Sequence, residues 1–264
     1  MLDEIVATCK KLVLSPTIAS ILSPSGITVA YDLRKLSAVL IRIQLLFAES
    51  HEYVHHKNGH LTQGPDSLFV NEIVDAGEAG SLDRQAREAD ADGGAVFFVL
   101  ADLLDGTSRP STIAALDLDT APVDIQDKAL LACLIVAASG FFFIRQPVVL
   151  DNIRENYRLT HPPQAVRMMS VISFAAAWCQ QFRPGLEALI MEGGWGIRVM
   201  SAVAEATWGN SRENGWEAQA MLMFSDSSAE YFREIQERAS RLNCSSPQRG
   251  RHHLPRTPRF KAFG

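Results

Sequence analysis

Helical spacing of apolar and polar positions dominates this chain of 264 residues. A first long helix is predicted to begin after Asp32, a suitable N-cap, and to continue to Asn58-Gly59, where glycine can adopt the left-handed conformation that ends helices. A second long helix is predicted to open at Ser81 and to continue through about Leu104. Any strands are expected to be short and to lie between these two helices. The fold class is therefore predicted to be mainly α, with at most a small β element.

The most apolar stretch, residues 129–144, carries no charge between Lys128 and Arg145. It is somewhat shorter than the roughly 20 residues that a membrane-spanning helix needs. A helix buried in the middle of a helical fold is therefore favoured, and a re-entrant or membrane-surface helix is the alternative.

The remaining segments complete one helical domain. A loop over 105–111 and an acid-rich segment over 116–124 are expected before the apolar helix, and two or three further helices are expected over 183–242. Residues 1–242 are thus predicted to form the domain, whereas 243–264 mix proline, arginine and histidine without apolar periodicity and are predicted to form a disordered basic tail. The tail's two adjacent histidines are not expected to bind metal.

The strongest chemical signal is the sequence His51-Glu52-Tyr53-Val54-His55, a complete H-E-x-x-H motif. Residues four apart lie on one face of a helix, so His51 and His55 can both face one ion. Glu52 is rotated by about 100° around the helix axis, which lets its carboxylate reach a water molecule beside the metal. The motif predicts a zinc site with Glu52 as the general base.

A third ligand is suggested by the segment from Glu88 to Ala95, in which Glu88 and Asp92 share a helical face. Glu88 would complete a set of two histidines and one glutamate. Asp92, one turn later, could accept the free ring N–H of a ligand histidine and fix its tautomer. Asp90 is expected to point elsewhere and to be solvated.

Other histidines near the motif compete for the role of third ligand. His60 lies five residues after His55, but Asn58-Gly59 is expected to turn the chain away first. The longer metzincin pattern requires a histidine at the position that Leu61 occupies, so that alternative fails. His56 is expected to lie on the opposite side of the helix, at the surface.

Composition limits the partners and the cellular location that can be expected for this protein. The net charge of −5 gives no bulk electrostatic reason to expect nucleic-acid binding. The four cysteines are scattered without a C-x-x-C pair, which argues against a disulfide framework and against a cysteine-based zinc site. The first residues lack the basic-then-apolar pattern of a secretory signal. A cytoplasmic location is therefore expected, with membrane association as the alternative.

Three motifs resemble, in the same order, those of a known peptidase group. They are the H-E-x-x-H segment with its flank, HEYVHHKNGH, the segment EADADGGA, and the segment THPPQAVR at 160–167. The resemblance is to gluzincin metallopeptidases of the HtpX and CAAX-prenyl-protease type and to relatives typified by the Lit phage-exclusion peptidase. It covers about residues 35–170. It implies a helical zincin-like metalloprotease domain with one zinc ion, whose ligands match His51, His55 and Glu88.

The same resemblance implies that the T-H-P-P stretch lies close to the active site. His161 is therefore a candidate catalytic residue that holds the developing oxyanion, and Arg167 a candidate supporting residue, with Tyr157 as a further donor. The expected activity is hydrolysis of a protein or peptide substrate. A zinc-stabilised regulatory or interaction protein without turnover, and a membrane-associated protease, are the alternatives.

Overall fold

The chain folds into a bundle of α-helices in the computed structural model, which describes residues 2–23, 32–58, 60, 77–144, 153–159, 161–191, 194–209 and 226–245. No strand occurs in these parts of the chain, so the predicted mainly α class is confirmed. The helices are α1 Leu2–Leu14, α2 Pro16–Leu22, α3 Leu33–Lys57, α4 Gly77–Asp105, α5 Ser108–Ala115, α6 Val123–Phe142, α7 Gln164–Phe182, α8 Pro184–Met191, α9 Trp195–Trp208 and α10 Asp226–Ser245, with a 3₁₀ helix at Ile153–Arg158.

The helix that carries H-E-x-x-H is the predicted one. The Asp32 side chain caps α3 by accepting hydrogen bonds from the backbone N–H groups of Arg34 and Lys35, and Asn58 is the C-cap. Helix α4 begins at Gly77, earlier than the predicted Ser81. The region expected to hold any short strands, and residues 246–264 of the predicted tail, lie outside the described residues.

The loop predicted over 105–111 is partly wrong, because α5 begins at Ser108. Its proline, Pro110, lies in the first helical turn, where a missing backbone N–H removes no hydrogen bond within the helix. Helix α6 likewise begins at Val123, before the predicted apolar stretch, with Pro122 at its N-cap and Asp124 in its first turn, where a negative charge is favourable.

Helix α6 lies at the centre of the bundle and packs against α1 to α5 and against α7, α8 and α9. By length and composition it could cross a membrane, but 83% of its most apolar 18-residue window is buried inside the protein. The consecutive helices α1 and α2, which meet at 83°, satisfy the same criteria only if they are counted as one bent span. Burial among other helices is what the prediction of a central core helix requires.

A pair of glycines lets α4 lie unusually close to the helices on either side of it. A Cβ atom at Gly93 would lie 2.6 Å from Cζ of Phe174 on α7, and one at Gly94 would lie 2.6 Å from Cγ2 of Val54 on α3. Such distances are far below van der Waals contact, so neither side could approach as closely with any larger residue. The Gly93-Gly94 pair thus holds α3, α4 and α7 together at the candidate site.

The last described helix, α10, packs against the first half of α4. Its Tyr231 is fully buried in a small apolar cluster with Leu82, Ala89, Val166 and Ile235. At the edge of this contact, Arg238 forms an ion pair of 2.6 Å with Asp83. Helix α10 therefore supports the same segment of α4 that carries Glu88.

Candidate metal centre

Helices α3 and α4 bring together the three residues predicted to hold a metal ion. His51 and His55 lie about one turn apart on the buried face of α3, and their Nε2 atoms are 2.9 Å from each other. Glu88 approaches from α4, with one carboxylate oxygen 3.4 Å from His51 Nε2 and the other 3.2 Å from His55 Nε2. These three side chains form a group that could hold a metal ion.

The separations fit a tetrahedral ion. With metal–ligand bonds of about 2.0–2.1 Å, two ligands of a tetrahedral zinc ion lie about 3.3 Å from each other. The two Nε2 atoms lie 2.9 Å apart, and they lie 3.4 and 3.2 Å from the two different oxygens of Glu88, so each nitrogen has a partner atom near that separation. Two imidazoles and one carboxylate are also a donor set that catalytic zinc sites use, with the fourth position open. The residues present therefore fit zinc.

Asp92 supports the first histidine, as its position one turn after Glu88 suggests. Its Oδ1 atom lies 2.9 Å from His51 Nδ1, the ring nitrogen that does not face the ligand group. Arg167 on α7 holds Asp92 from the other side through two hydrogen bonds, from Nε at 2.8 Å and from Nη2 at 2.7 Å. The guanidinium also lies 4.4 Å from the centre of the Phe142 ring. Arg167 therefore anchors α7 to the site.

The second histidine is supported by residues that the sequence interpretation set aside. His60 is not part of the ligand group, but its Nδ1 atom lies 3.0 Å from His55 Nδ1. The other nitrogen of His60 lies 3.4 Å from Asp90 Oδ2, which also accepts a hydrogen bond of 2.7 Å from Asn58. Asp90 is only 1% exposed, so the expectation of a solvated side chain is wrong. His56 is exposed, as expected.

Charges within the site displace several pKa values in the metal-free protein. Burial acts to lower the pKa of His51, but Asp92 and Glu88 outweigh it and raise that pKa to about 9. Burial acts to raise the pKa of Glu88, but its contacts with His51 and His55 hold it well below the usual value. For Asp92, burial is again outweighed, chiefly by Arg167, and the pKa is lowered. Both carboxylates are therefore ionised at neutral pH.

The candidate catalytic groups differ in how they reach this centre. Glu52 is exposed, beside the buried ligand pair on α3. His161 comes from the segment before α7, with 39% of its side chain exposed and its Nε2 atom 3.8 Å from Glu88 Oε1. Arg167 Nη2 lies 3.5 Å from the other Glu88 oxygen. Tyr157 packs its ring against Tyr231, with 5.2 Å between ring centres.

A buried amide holds the segment before His161 against α4. Gln85, fully buried one turn before Glu88, donates hydrogen bonds of 2.7 and 2.6 Å to the backbone carbonyls of Asn156 and Leu159. The Tyr231 hydroxyl donates to the side-chain oxygen of Gln85. Sequence reasoning missed this contact, and the only sequence signal for it is a glutamine on the apolar face of a predicted helix.

A comparison of the chain with models of known protein families, with curated proteins and with solved structures found no match. The function is therefore inferred from the chemistry of the site itself.

Proposed function

We propose that this chain is a zinc-dependent endopeptidase of the gluzincin type that hydrolyses peptide bonds in a protein or peptide substrate. The observation that carries the proposal is the convergence of His51, His55 and Glu88. The two Nε2 atoms lie 2.9 Å apart, and one oxygen of Glu88 lies 3.4 Å from the first while the other lies 3.2 Å from the second. Their arrangement beside Glu52, inside an H-E-x-x-H motif, is the pattern of metal-assisted hydrolysis.

Zinc is the proposed metal because of the motif and not of the donor set alone. Two imidazoles and one carboxylate also hold iron(II), whereas an H-E-x-x-H helix with a glutamate beside the ligand pair is the pattern of zinc peptidases. Three protein ligands within one buried group leave room for a fourth position, which a catalytic zinc site requires and a structural site does not.

Zinc supplies Lewis-acid chemistry when bound, because it makes a water molecule acidic near neutral pH and polarises the scissile carbonyl. Glu52 then takes the proton of the attacking water and delivers it to the leaving amine. Its exposed position on α3, next to the buried His51, suits a group that must meet both water and substrate. The ligand histidines do not serve as bases in this scheme, since their ring nitrogens are committed to the metal and to their supporting partners.

The developing negative charge on the carbonyl oxygen needs a further donor. His161 is the proposed donor because it is half-exposed and lies 3.8 Å from Glu88. Arg167 is also near, but its Nε and Nη2 groups are engaged with Asp92, which suits the supporting role. Tyr157 packs against the ring of Tyr231 and is the third choice.

We further propose that the enzyme acts in the cytoplasm, since α6, which is long and apolar enough to cross a membrane, is largely buried among other helices. No nucleic-acid partner is expected, because the net charge is −5. Expression without detergent tests the location: recovery of the chain only in the membrane fraction would favour the membrane-associated protease.

The activity is tested with purified protein loaded with one equivalent of zinc and a peptide library generated from a whole proteome. Mass spectrometry should detect new peptide termini that disappear after treatment with a chelator and return when zinc is restored. Zinc bound at one per chain without any cleavage would favour the alternative of a zinc-stabilised regulatory protein. No zinc in carefully handled protein would overturn the proposal.

A further inference from the structure

A chain of three side chains extends from His55 away from the ligand group. His55 Nδ1, the nitrogen on the far side of the ring from Glu88, lies 3.0 Å from His60 Nδ1. The opposite nitrogen of His60 lies 3.4 Å from Asp90 Oδ2. Asn58 donates a hydrogen bond of 2.7 Å to the same Asp90 oxygen. All of these residues except Asp90 come from the end of α3 and the turn after it.

The geometry assigns a tautomer to each ring. If His55 Nε2 faces a cation, that nitrogen carries no proton, so the neutral ring carries its proton on Nδ1. The nearest acceptor is His60 Nδ1, which must then be unprotonated. The neutral His60 ring consequently carries its proton on Nε2, which faces the carboxylate of Asp90.

We propose that His60 and Asp90 are positioning residues that orient His55 and fix its tautomer for metal binding. The proposal rests on the proposed metal site and deepens it. Each histidine ligand is then held by a carboxylate of α4: His51 directly by Asp92, at 2.9 Å, and His55 by Asp90 through His60. Such partners of a ligating histidine set its orientation and raise its basicity.

Burial supports this role over that of an ordinary surface cap. The side chain of His60 is 5% exposed and that of Asp90 is 1% exposed. Burying polar groups is costly, and apolar residues of the same shape could fill this place with little loss of folding stability. Two buried polar side chains here therefore favour a role in metal binding over one in packing alone. His60 is also not a metal ligand itself, because both of its nitrogens face other residues and neither faces Glu88.

The first test is zinc affinity, measured by competition with a chromophoric chelator for wild type, His60→Ala, His60→Gln and His56→Ala. The expected result is that His60→Ala weakens zinc binding by about 10- to 100-fold, the usual effect of losing a partner of a ligand histidine. Glutamine keeps one acceptor and one donor, so His60→Gln should restore part of the loss. His56→Ala, a matched change at an exposed neighbouring histidine, should bind zinc as wild type does.

A second variant tests the connection between the two positioning residues. Asp90→Asn should also weaken zinc binding, and the double variant with His60→Ala should lose little more than His60→Ala alone, because both changes interrupt one chain of contacts. Fully additive losses would mean that the two side chains act separately and would overturn the proposal.

The third test uses wild-type protein and therefore does not depend on the folding of variants. Long-range ¹H–¹⁵N spectra of the zinc-bound protein should show His60 as the Nε2–H tautomer and His55 as the Nδ1–H tautomer. A proton on His60 Nδ1, or zinc affinity unchanged by His60→Ala, would overturn the positioning role while leaving the metal site intact. Failure of wild type to bind zinc would instead overturn the proposed function, so the two failures are distinguishable.

Discussion

Val54 packs directly on Gly94, so closely that a Cβ atom at position 94 would lie 2.6 Å from Cγ2 and 3.1 Å from Cγ1 of the valine. Val54 is 4% exposed and lies on α3 between the two ligand histidines. As a β-branched residue it has few alternative rotamers in a helix and cannot readily swing aside. The contact therefore limits the separation of α3 and α4 about 9 Å along α4 from Glu88, which must reach the histidines.

Replacement of this glycine, Gly94→Ala, is expected to destabilise the protein by a net of up to about 2 kcal/mol. Overpacking of a core costs about 1–3 kcal/mol, and the better helix propensity of alanine returns at most about 1 kcal/mol. Chemical denaturation of the metal-free protein measures the change. Zinc affinity should fall as well, because α3 must move away from α4.

Two controls identify the cause of this effect. Gly185→Ala adds the same methyl group where nothing lies within 4 Å, and it should be neutral or slightly stabilising. When Val54 is also replaced by alanine, the loss of stability caused by Gly94→Ala should be smaller, because the two sites are in contact. A loss that is equal with and without Val54 would contradict the close contact.

The carboxylate ligand from α4 can be tested through Glu88→Ala. Loss of a residue that only supports a ligand typically weakens metal binding by about 10- to 100-fold. Because Glu88 is proposed to be a ligand itself, we expect a larger loss of zinc affinity. Mass spectrometry of metal content and chelator competition measure it, with Glu205→Ala as a control on an exposed glutamate of α9. Undiminished zinc content in Glu88→Ala would mean that the third ligand lies elsewhere.

Local rules predicted a large part of this site. Helix geometry alone predicts the N-cap at Asp32 and the shared face of His51 and His55. It also places Asp92 one turn after Glu88. These relations depend on residues within one helix, where spacing in sequence translates directly into spacing on a surface.

The errors concern contacts between segments. Asn58-Gly59 was predicted to turn the chain away before His60, yet the His60 N–H donates a hydrogen bond of 3.0 Å to the His55 carbonyl, so the chain folds back over the end of α3. That return brings His60 against His55 and covers Asp90. Helix periodicity could place Asp90 off the metal-facing side of α4, but it contains no information about which other segment packs there.

The docking of α10 provides a further test, Tyr231→Phe. The hydroxyl of Tyr231 donates a hydrogen bond to buried Gln85, and its loss leaves the amide oxygen without that donor. A buried polar group deprived of its partner costs about 1–3 kcal/mol, which chemical denaturation should detect. Tyr53→Phe, at a tyrosine that is 52% exposed, should change stability by less than about 0.5 kcal/mol. Equal effects of the two changes would contradict the buried contact.

Thiol reactivity tests the packing of the central helices. Burial raises the pKa of Cys9, Cys133 and Cys179 to about 12 each, so these thiols stay protonated and unreactive in the folded protein. In a Cys244→Ser variant, a chromogenic disulfide reagent at pH 8 should label almost nothing until denaturant is added. An exposed thiol has a pKa of 9.0, so the thiols of the unfolded chain ionise between pH 9 and 12 while the buried ones stay protonated. The stability that these buried thiols contribute is therefore fully present below pH 9 and is lost as the pH rises towards 12. Rapid labelling of the native variant would contradict this packing.

The general base is tested most directly by Glu52→Gln. Glutamine cannot accept the proton of the attacking water, so hydrolysis should fall by about 10²- to 10⁴-fold, the usual contribution of general acid–base catalysis. Zinc content should stay near one per chain, because the zinc fit involves His51, His55 and Glu88 and leaves Glu52 exposed. Cleavage rates and metal content are measured on the same preparation.

A matched control for that experiment lies on the same helix. Glu49→Gln removes one exposed carboxylate of α3, just before the motif, and should change neither rate nor zinc content. Loss of zinc in Glu52→Gln would reassign Glu52 as a ligand. Full activity in Glu52→Gln with zinc retained would require a different base, and His161, 3.8 Å from Glu88, would be the next residue to replace.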